Sequence, residues 1–297
     1  MTQGRIRATF GRQYEVEDPQ GQRVLCYPKG KRSHFACGDR VEFAHTGADQ
    51  GVIQRVSERR NLLYRSDAWK EKLIAANVSQ IVLVTATEPG FSDELLSRCI
   101  AAAEDQDIAV LIVLNKIDLP SRLAEAREAL AAFRAIGYPV LELSAASGGA
   151  AALAPHLAGH CSVLVGQSGM GKSTLINALI PEAAAATREI SESLDSGKHT
   201  TTYARLYDLS DGGEIIDSPG LQVFGLAHIA PDALISCFRE LAPLAGACRF
   251  RDCRHDLEPG CALRSAADSG AIPARRWTHF NLFRDEIEAQ RRESQGW

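Results

Sequence analysis

The chain has 297 residues, of which 45% are hydrophobic and 24% charged, and its formal net charge at pH 7 is −4. This composition is ordinary for a soluble protein of two or three domains. It contains no uncharged apolar run long enough to span a bilayer, and its first twelve residues lack the apolar core of a signal peptide, so we predict a cytoplasmic protein.

The charge is unevenly distributed along the chain. Residues 1–72 carry 14 Lys/Arg against 9 Asp/Glu, residues 73–247 carry 10 against 20, and residues 248–297 carry 9 against 8. A basic N-terminal part before an acidic middle is typical of a protein that contacts nucleic acid. The imbalance is a weak signal alone, since many surfaces carry such a charge without a polyanionic partner.

Residues 1–58 have the pattern of a small β domain. Apolar and polar residues alternate in five segments, 5–10, 14–16, 23–27, 40–43 and 51–56, separated by Gly, Pro and Asp. Five short strands favour a barrel of the oligonucleotide-binding (OB) type. The basic segment 29–34 is a candidate RNA contact, while most aromatic residues here are better explained as barrel core. A polar connector is predicted over residues 59–69.

From residue 73 the chain alternates between strands and helices. Apolar runs predict strands at 80–85, 109–114 and 140–143, and helical periodicity predicts helices at 93–105, capped by Ser92, and at 124–136. Apolar strands separated by helices indicate a parallel sheet covered on both faces. A hairpin is predicted at 203–208 and 214–217, and helices at 231–241 and 277–292.

Residues 166–174 fit the phosphate-binding loop G-x-x-x-x-G-K-[ST], between an apolar strand and a helix. Glycines let backbone N–H groups turn toward a phosphate, Lys172 offers a cation to the β- and γ-phosphates, and the Ser173 hydroxyl can bind Mg²⁺. The alternative, a glycine-rich turn without a ligand, fits this context poorly. The predicted phosphate-binding residues are Gly166, Gln167, Ser168, Gly169, Met170, Gly171, Lys172, Ser173 and Thr174.

The nucleotide base is specified by Asn115-Lys116-Ile117-Asp118, directly after a predicted strand. Asp118 can accept hydrogen bonds from the N1–H and 2-amino groups of guanine, and adenine lacks both donors. Asn115 and Lys116 are expected to pack the base and to connect this loop to the phosphate loop. Ser144 and Ala145 follow the next strand, where a backbone N–H can reach the guanine O6 atom.

The residues that respond to the γ-phosphate are predicted in two segments. In Asp217-Ser218-Pro219-Gly220, Asp217 holds Mg²⁺ and Gly220 senses the phosphate. Residues 198–202 place Thr201 and Thr202 where a switch threonine binds Mg²⁺. Ras-type GTPases have a glutamine just after D-x-x-G, whereas this chain has Leu221, so we predict a low intrinsic rate and hypothesise that His199 orients the attacking water.

A second predicted site is the cysteine group Cys248, Cys253, His255 and Cys261. Three thiolates and one imidazole within fourteen residues are the ligand set of a closed, structural Zn²⁺ site. The arginines around it predict an RNA contact, with a solvated charged surface as the alternative. The other cysteines are expected to be small buried hydrophobic residues.

The motifs stand in an unusual order, because the N-K-x-D and S-A segments precede the phosphate loop instead of following D-x-x-G. The chain therefore resembles the RsgA (YjeQ) family of bacterial, circularly permuted GTPases that depend on the small ribosomal subunit. The resemblance covers essentially the whole chain. It implies weak GTP hydrolysis stimulated by the small subunit, a role in late maturation of that subunit, and release of another assembly factor.

We therefore expect a multidomain chain: an OB-fold-like β-barrel (1–58), a connector (59–72), a permuted α/β P-loop GTPase domain (73–230), and a zinc-binding domain with C-terminal helices (231–297). GTP with Mg²⁺, one structural Zn²⁺ and ribosomal RNA are the expected ligands, and a monomer without membrane contact is the default. The site residues assigned to catalysis are Lys172, His199, Thr201 and Thr202. The alternatives are a GTP-sensing RNA-binding module without catalysis and a GTPase that serves another RNA or the large subunit.

Overall fold

A computed structural model describes residues 1–30, 34–67, 70–181, 183, 203–218 and 224–294. The N-terminal domain has five strands, β1 (Thr2–Phe10), β2 (Gln13–Glu17), β3 (Arg23–Pro28), β4 (Arg40–His45) and β5 (Gln50–Val56). They form a closed barrel in the order β1-β2-β3-β5-β4, with β4 pairing back to β1 and β3 running parallel to β5. The expected OB-type barrel is confirmed.

Alternation along these strands separates the barrel interior from its surface. Inward-facing apolar side chains from all five strands form one buried cluster: Ile6, Tyr14, Val16, Val24, Cys26, Val41, Phe43 and Ile53. The intervening polar residues remain partly or fully exposed, as the two-residue period of a strand requires. Burial of the apolar side chains holds the barrel closed.

The segment predicted as a polar connector, residues 59–69, contains regular structure that the sequence did not indicate. Strand β6 (Leu62–Asp67) pairs antiparallel with β7 (Lys70–Ala76) as a separate two-stranded sheet. Leu63 and Ile74 of this hairpin are buried in the core of the next domain. The polar composition of residues 64–72 hid the hairpin, because it leaves no alternation of apolar and polar residues from which a strand could be predicted.

The central domain is built on a six-stranded part of the sheet in the order β10-β9-β8-β11-β13-β12. These strands are β8 (Gln80–Ala86), β9 (Ala109–Asn115), β10 (Val140–Glu142), β11 (Cys161–Val165), β12 (Tyr203–Asp208) and β13 (Glu214–Asp217). All pairs are parallel except β12 with β13. Apolar cores lie on both faces, which explains why β8 is buried along its whole length.

In the described part of this domain, four α-helices accompany these strands: α1 (Asp93–Asp105), α2 (Leu123–Ile136), α3 (Ala154–Leu157) and α4 (Lys172–Leu179). Ser92 caps α1 by accepting a hydrogen bond from the backbone N–H of Leu95, as predicted. Gly137 ends α2 in the left-handed conformation that favours glycine. The phosphate loop lies between β11 and α4, at the carboxyl edge of the parallel strands.

The C-terminal part contains α5 (Ala262–Asp268) and α6 (Ala274–Ser294). It packs against α1 through α6 and the segment Pro231–Cys237. The helix predicted at 231–241 is a 3₁₀ helix over Pro231–Cys237. Arg98 of α1 forms a two-pronged ion pair with Glu286 of α6, at 2.8 and 2.6 Å. None of the helices in the described part of the chain is both long and apolar enough to cross a bilayer.

Arg276 is buried where α6 meets the central domain. Its Nε atom donates to Glu240 at 2.6 Å, and its guanidinium lies 4.4 Å from the centre of the Phe238 ring. We expect Arg276→Met to lower the free energy of unfolding by about 3 kcal/mol, because it leaves the Glu240 carboxylate buried without its partner. Urea unfolding measures the change. The double variant with Glu240→Gln should recover most of the loss, and equal loss in both variants would contradict this explanation.

Candidate nucleotide and metal sites

The phosphate loop is anchored by Met170 and has exposed residues on both sides of it. Met170 is buried in the core beneath α4, while Ser168, Gly169, Ser173 and Thr174 are exposed. Gly171 has φ +92° and precedes the first residue of α4. The exposed hydroxyls and backbone of the loop are therefore accessible to a phosphate chain, and the N-terminus of α4 adds its positive dipole end.

Lys172 and Asp217 face each other at this loop. The Lys172 ammonium donates to the carbonyl oxygens of Gly166 and Gln167, at 2.5 and 2.9 Å. Burial lowers the pKa of Lys172, and the nearby Asp217 opposes that shift. Burial raises the pKa of Asp217 to about 6, and Lys172 limits the rise. Neither residue therefore fully offsets the effect of burial on the charge of the other. Such shifted pKa values are expected where a charged phosphate and a cation bind.

Asn115 joins three loops of the site and is almost fully buried. Its side-chain amide donates to the carbonyl oxygen of Met170 at 2.9 Å, and its oxygen accepts from the backbone N–H groups of Lys116 and Ala145, at 2.8 and 3.0 Å. A Cβ atom at Gly171 would lie 2.3 Å from the Asn115 amide nitrogen, so this approach requires glycine. The N-K-x-D, S-A and phosphate loops therefore occupy one edge of the sheet in fixed register.

Lys116 holds the N-K-x-D loop against the segment that follows strand β8. Its backbone has φ +62°, its ammonium donates to the carbonyl oxygen of Glu88 at 2.7 Å, and its own carbonyl oxygen accepts from the Thr87 hydroxyl at 2.8 Å. Asp118 is exposed beyond it. The Asp118 carboxylate is therefore accessible to a base lying over the loop.

Sequence reasoning missed the contact between the phosphate loop and α1. The Gln167 side-chain oxygen accepts from the backbone N–H of Ser92 at 2.9 Å. Thr87 and Glu88 were also missed, although both directly follow strand β8 at the carboxyl edge, where ligands of such sheets bind. Ala145 lies beside Asn115, and its backbone N–H, which was predicted to reach the guanine O6 atom, donates to the Asn115 side-chain oxygen. His199, Thr201, Thr202 and Gly220 lie outside the described residues.

The pKa of Asp217 leads to a prediction about stability. The pKa of Asp217 is higher in the folded protein than in the unfolded chain. The ionised carboxylate therefore lowers the free energy of unfolding of the nucleotide-free protein above pH 6, and this decrease becomes smaller as the pH falls from 6 toward 4. We expect Asp217→Asn to raise the free energy of unfolding by roughly 3 kcal/mol at pH 8 and to abolish GTP turnover. Unfolding in EDTA at pH 8 and pH 5 measures it. The exposed Asp211→Asn is the control, and an Asp217→Asn protein no more stable than wild type at pH 8 would refute the prediction.

The cysteine group forms a compact cluster in which all four ligand atoms lie within 4.8 Å of one another. The Nδ1 atom of His255 lies 3.5 Å from the Cys248 sulfur and 3.6 Å from the Cys261 sulfur, and the two sulfurs are 4.0 Å apart. These distances fit the edges of a tetrahedron around an ion with Zn–S and Zn–N bonds of about 2.3 and 2.0 Å. The donor set therefore fits a tetrahedral metal ion.

The surroundings of the cluster also suit a metal. Backbone N–H groups of Ala262 and Arg264 donate to the sulfurs of Cys248 and Cys261, both at 3.4 Å. Such donors stabilise thiolate ligands. Burial lowers the pKa of His255, which favours the neutral imidazole that metal binding requires.

Comparison with known proteins gives a consistent result. The family model described as RsgA GTPase matches residues 56–227. The small ribosomal subunit biogenesis GTPase RsgA of Burkholderia pseudomallei (strain K96243) is 55% identical over 294 residues, covering 97% of this chain and 94% of that protein. The protein of the same name from Ralstonia pickettii (strain 12J) is 51% identical over 295 residues, covering 97% and 94%.

The solved structures that resemble the fold include YjeQ and YloQ. YjeQ from Thermotoga maritima has a TM-score of 0.74 at 30% identity, covering 96% of this chain and 98% of that chain. YloQ, described as a circularly permuted GTPase, has a TM-score of 0.72 at 27% identity, covering 98% and 96%. The permuted motif order in the sequence thus corresponds to a known arrangement.

Proposed function

The chain belongs to the RsgA family of GTPases, and from this premise we propose that it hydrolyses GTP during late maturation of the small ribosomal subunit, with that subunit stimulating the reaction. The observation that best supports the proposal is the set of hydrogen bonds made by Asn115, which hold the N-K-x-D loop next to the phosphate loop and the S-A loop. A bound GTP would span the N-K-x-D and phosphate loops. The small subunit is proposed as partner because the Burkholderia and Ralstonia relatives are small ribosomal subunit biogenesis GTPases by name.

In the proposed reaction, the residues of this chain bind the nucleotide and stabilise the negative charge of its phosphates. Lys172 would move from the carbonyl oxygens of Gly166 and Gln167 to the β- and γ-phosphates and stabilise their charge. Ser173, Asp217 and Thr201 or Thr202 are the proposed Mg²⁺-binding residues. Mg²⁺ bound with GTP would neutralise charge that develops on the phosphate oxygens. Gly220 would sense the γ-phosphate, and the remaining GTP contacts are those predicted for the phosphate, N-K-x-D and S-A loops.

The water-orienting group is proposed to be His199, because Leu221 occupies the position of the usual glutamine. We expect His199→Ala to lower subunit-stimulated kcat about 100-fold, in the range typical of losing a proton-transfer or water-positioning group, with unchanged affinity for GTP. Steady-state turnover and nucleotide titration measure the two quantities. His156→Ala, which alters a histidine in α3 away from the loop, is the matched control. Full stimulated turnover in His199→Ala would remove this residue from the mechanism.

We propose that two basic surfaces of the protein, one on the barrel and one around the cysteine group, contact ribosomal RNA. Arg12 and Lys29 are exposed on the barrel, and Arg249, Arg251 and Arg254 are exposed around the cysteine group. Phe250 is exposed beside Arg249, whose guanidinium lies 5.5 Å from its ring centre. Exposed arginines beside an aromatic ring suit RNA phosphates and unstacked bases. One structural Zn²⁺ would hold the loops of this second surface in place. The protein would act as a cytoplasmic monomer. It would release another assembly factor when it hydrolyses GTP.

Cosedimentation tests the choice of partner. Purified protein is mixed with small or large ribosomal subunits in the presence of a non-hydrolysable GTP analogue or GDP. We expect binding to small subunits with the analogue and weaker binding with GDP. Preference for large subunits would favour the rival GTPase function on that subunit.

A further inference from the structure

The barrel and the GTPase domain share one continuous sheet, and the strand that joins them is β12. Strand β1 of the barrel pairs antiparallel with β12, placing Ala8 opposite Arg205 and Phe10 opposite Tyr203. On its other side β12 pairs with β13, placing Arg205 opposite Asp217. Within the barrel, Ala8 also lies opposite Glu15 of β2. One row of cross-strand neighbours therefore runs from Glu15 through Ala8 and Arg205 to Asp217.

Side chains reinforce this row where the two domains meet. Arg205 forms an ion pair with Glu15 at 3.6 Å. The rings of Phe10 and Tyr203 have their centres 5.4 Å apart, and the Arg205 guanidinium lies 5.8 and 5.9 Å from those two centres. Arg205 thus contacts two barrel residues from a strand of the GTPase domain. We define these four side chains, Phe10, Glu15, Tyr203 and Arg205, as the junction cluster.

The barrel end of the row lies next to exposed basic residues. Arg12 stands in the turn between β1 and β2, two residues after Phe10, and it donates to the carbonyl oxygen of Gly30 at 2.8 Å. Lys29 precedes that carbonyl group. A polyanion bound at Arg12 and Lys29 would therefore act on the β1–β2 hairpin whose other side holds the junction cluster.

We propose that the junction cluster transmits RNA contact on the barrel to Asp217, with Glu15 and Arg205 as positioning residues for GTP hydrolysis. A hydrogen-bonded ladder is stiff along its pairing direction, so a shift of the β1–β2 hairpin moves β12 and with it β13. The ion pair between Glu15 and Arg205 keeps that displacement coupled across the domain boundary. Because the row ends at the proposed Mg²⁺-binding acid, the step it affects is turnover, and nucleotide affinity is set by other loops.

The proposal rests on stimulation by the small subunit, so its test includes the wild-type protein. Glu15→Gln should lower kcat at saturating small subunits about tenfold, within the usual range of coupling between sites, with KM for GTP and subunit affinity unchanged. Arg205→Met should show the same loss, and the double variant should be no worse than either single one, because the loss in each comes from the shared Glu15–Arg205 pair. Glu15 also pairs with Arg23 at 3.2 Å, so Arg23→Gln, which removes that second pair and leaves the pair with Arg205 in place, should keep full stimulation. Arg205→Lys should retain part of the stimulation. Glu42→Gln, which breaks the exposed barrel pair with Arg55, is the matched control.

The outcomes separate the two proposals. Stimulated wild type together with stimulated Glu15→Gln would overturn the coupling and leave the proposed function standing. Losses that add in the double variant, or that appear in KM, would show a merely structural role and would also overturn it. A wild-type protein without stimulation would contradict both proposals.

Discussion

Replacing Asp118 by asparagine is expected to lower the affinity for GTP by about 10³-fold, because the guanine 2-amino donor would lose its hydrogen-bond acceptor in the site. The same change is expected to create affinity for xanthosine triphosphate. The carboxylate accepts from the N1–H and 2-amino groups of guanine. An asparagine amide presents a donor there, which matches the carbonyl group at position 2 of xanthine. Asp118 is exposed, so the fold should not change.

Competition titration with GTP, XTP and ATP measures this prediction. Glu128→Gln, which alters an exposed acid on α2, is the control and should leave all affinities unchanged. An Asp118→Asn protein that keeps its affinity for GTP would show that the base lies elsewhere. It would then remove the N-K-x-D loop from nucleotide recognition.

Loss of the metal from the cysteine group is expected to have the second large effect. A structural Zn²⁺ contributes about 10–16 kcal/mol of binding free energy in small zinc domains, and this energy is folding energy. Cys261→Ser should therefore yield protein without zinc in which the segment from residue 248 to the start of α6 is cut rapidly by protease. Wild-type protein should contain one Zn²⁺ per chain.

Cys237→Ala provides the matched control, because Cys237 is buried near this segment but outside the group of four ligands. It should retain the metal and resist protease. Native mass spectrometry and limited proteolysis measure both variants. Wild-type protein purified without any metal, or a Cys261→Ser protein with unchanged zinc content, would contradict the assignment.

The features that sequence predicted well are those encoded locally. The glycines of the phosphate loop, the buried run of β9 ending at Asn115, and the cap at Ser92 each require particular residues at neighbouring positions. The spacing of the four metal ligands is equally local, and the structure brings their ligand atoms together. The barrel strands, the strands of the central sheet and helices α1, α2 and α4 followed from such patterns, with ends shifted by a few residues, whereas the short helix α3 was not predicted.

Contacts between distant segments could not be predicted from these patterns. The pairing of β1 with β12 joins residues almost two hundred positions apart, and nothing in either strand alone specifies the partner. The hydrogen bond from Ser92 to Gln167 depends on how α1 packs beside the phosphate loop. The β6–β7 hairpin was missed because its polar residues resemble a connector. Tertiary packing decides each of these features.

The central claim is that the small subunit activates GTP hydrolysis by this chain. Its most direct test is GTP turnover by the purified protein alone, with small subunits, with large subunits and with bulk tRNA, each repeated with ATP. We predict slow turnover alone, strong stimulation by small subunits only, and no ATP hydrolysis. Equal slow turnover in every mixture would contradict the account.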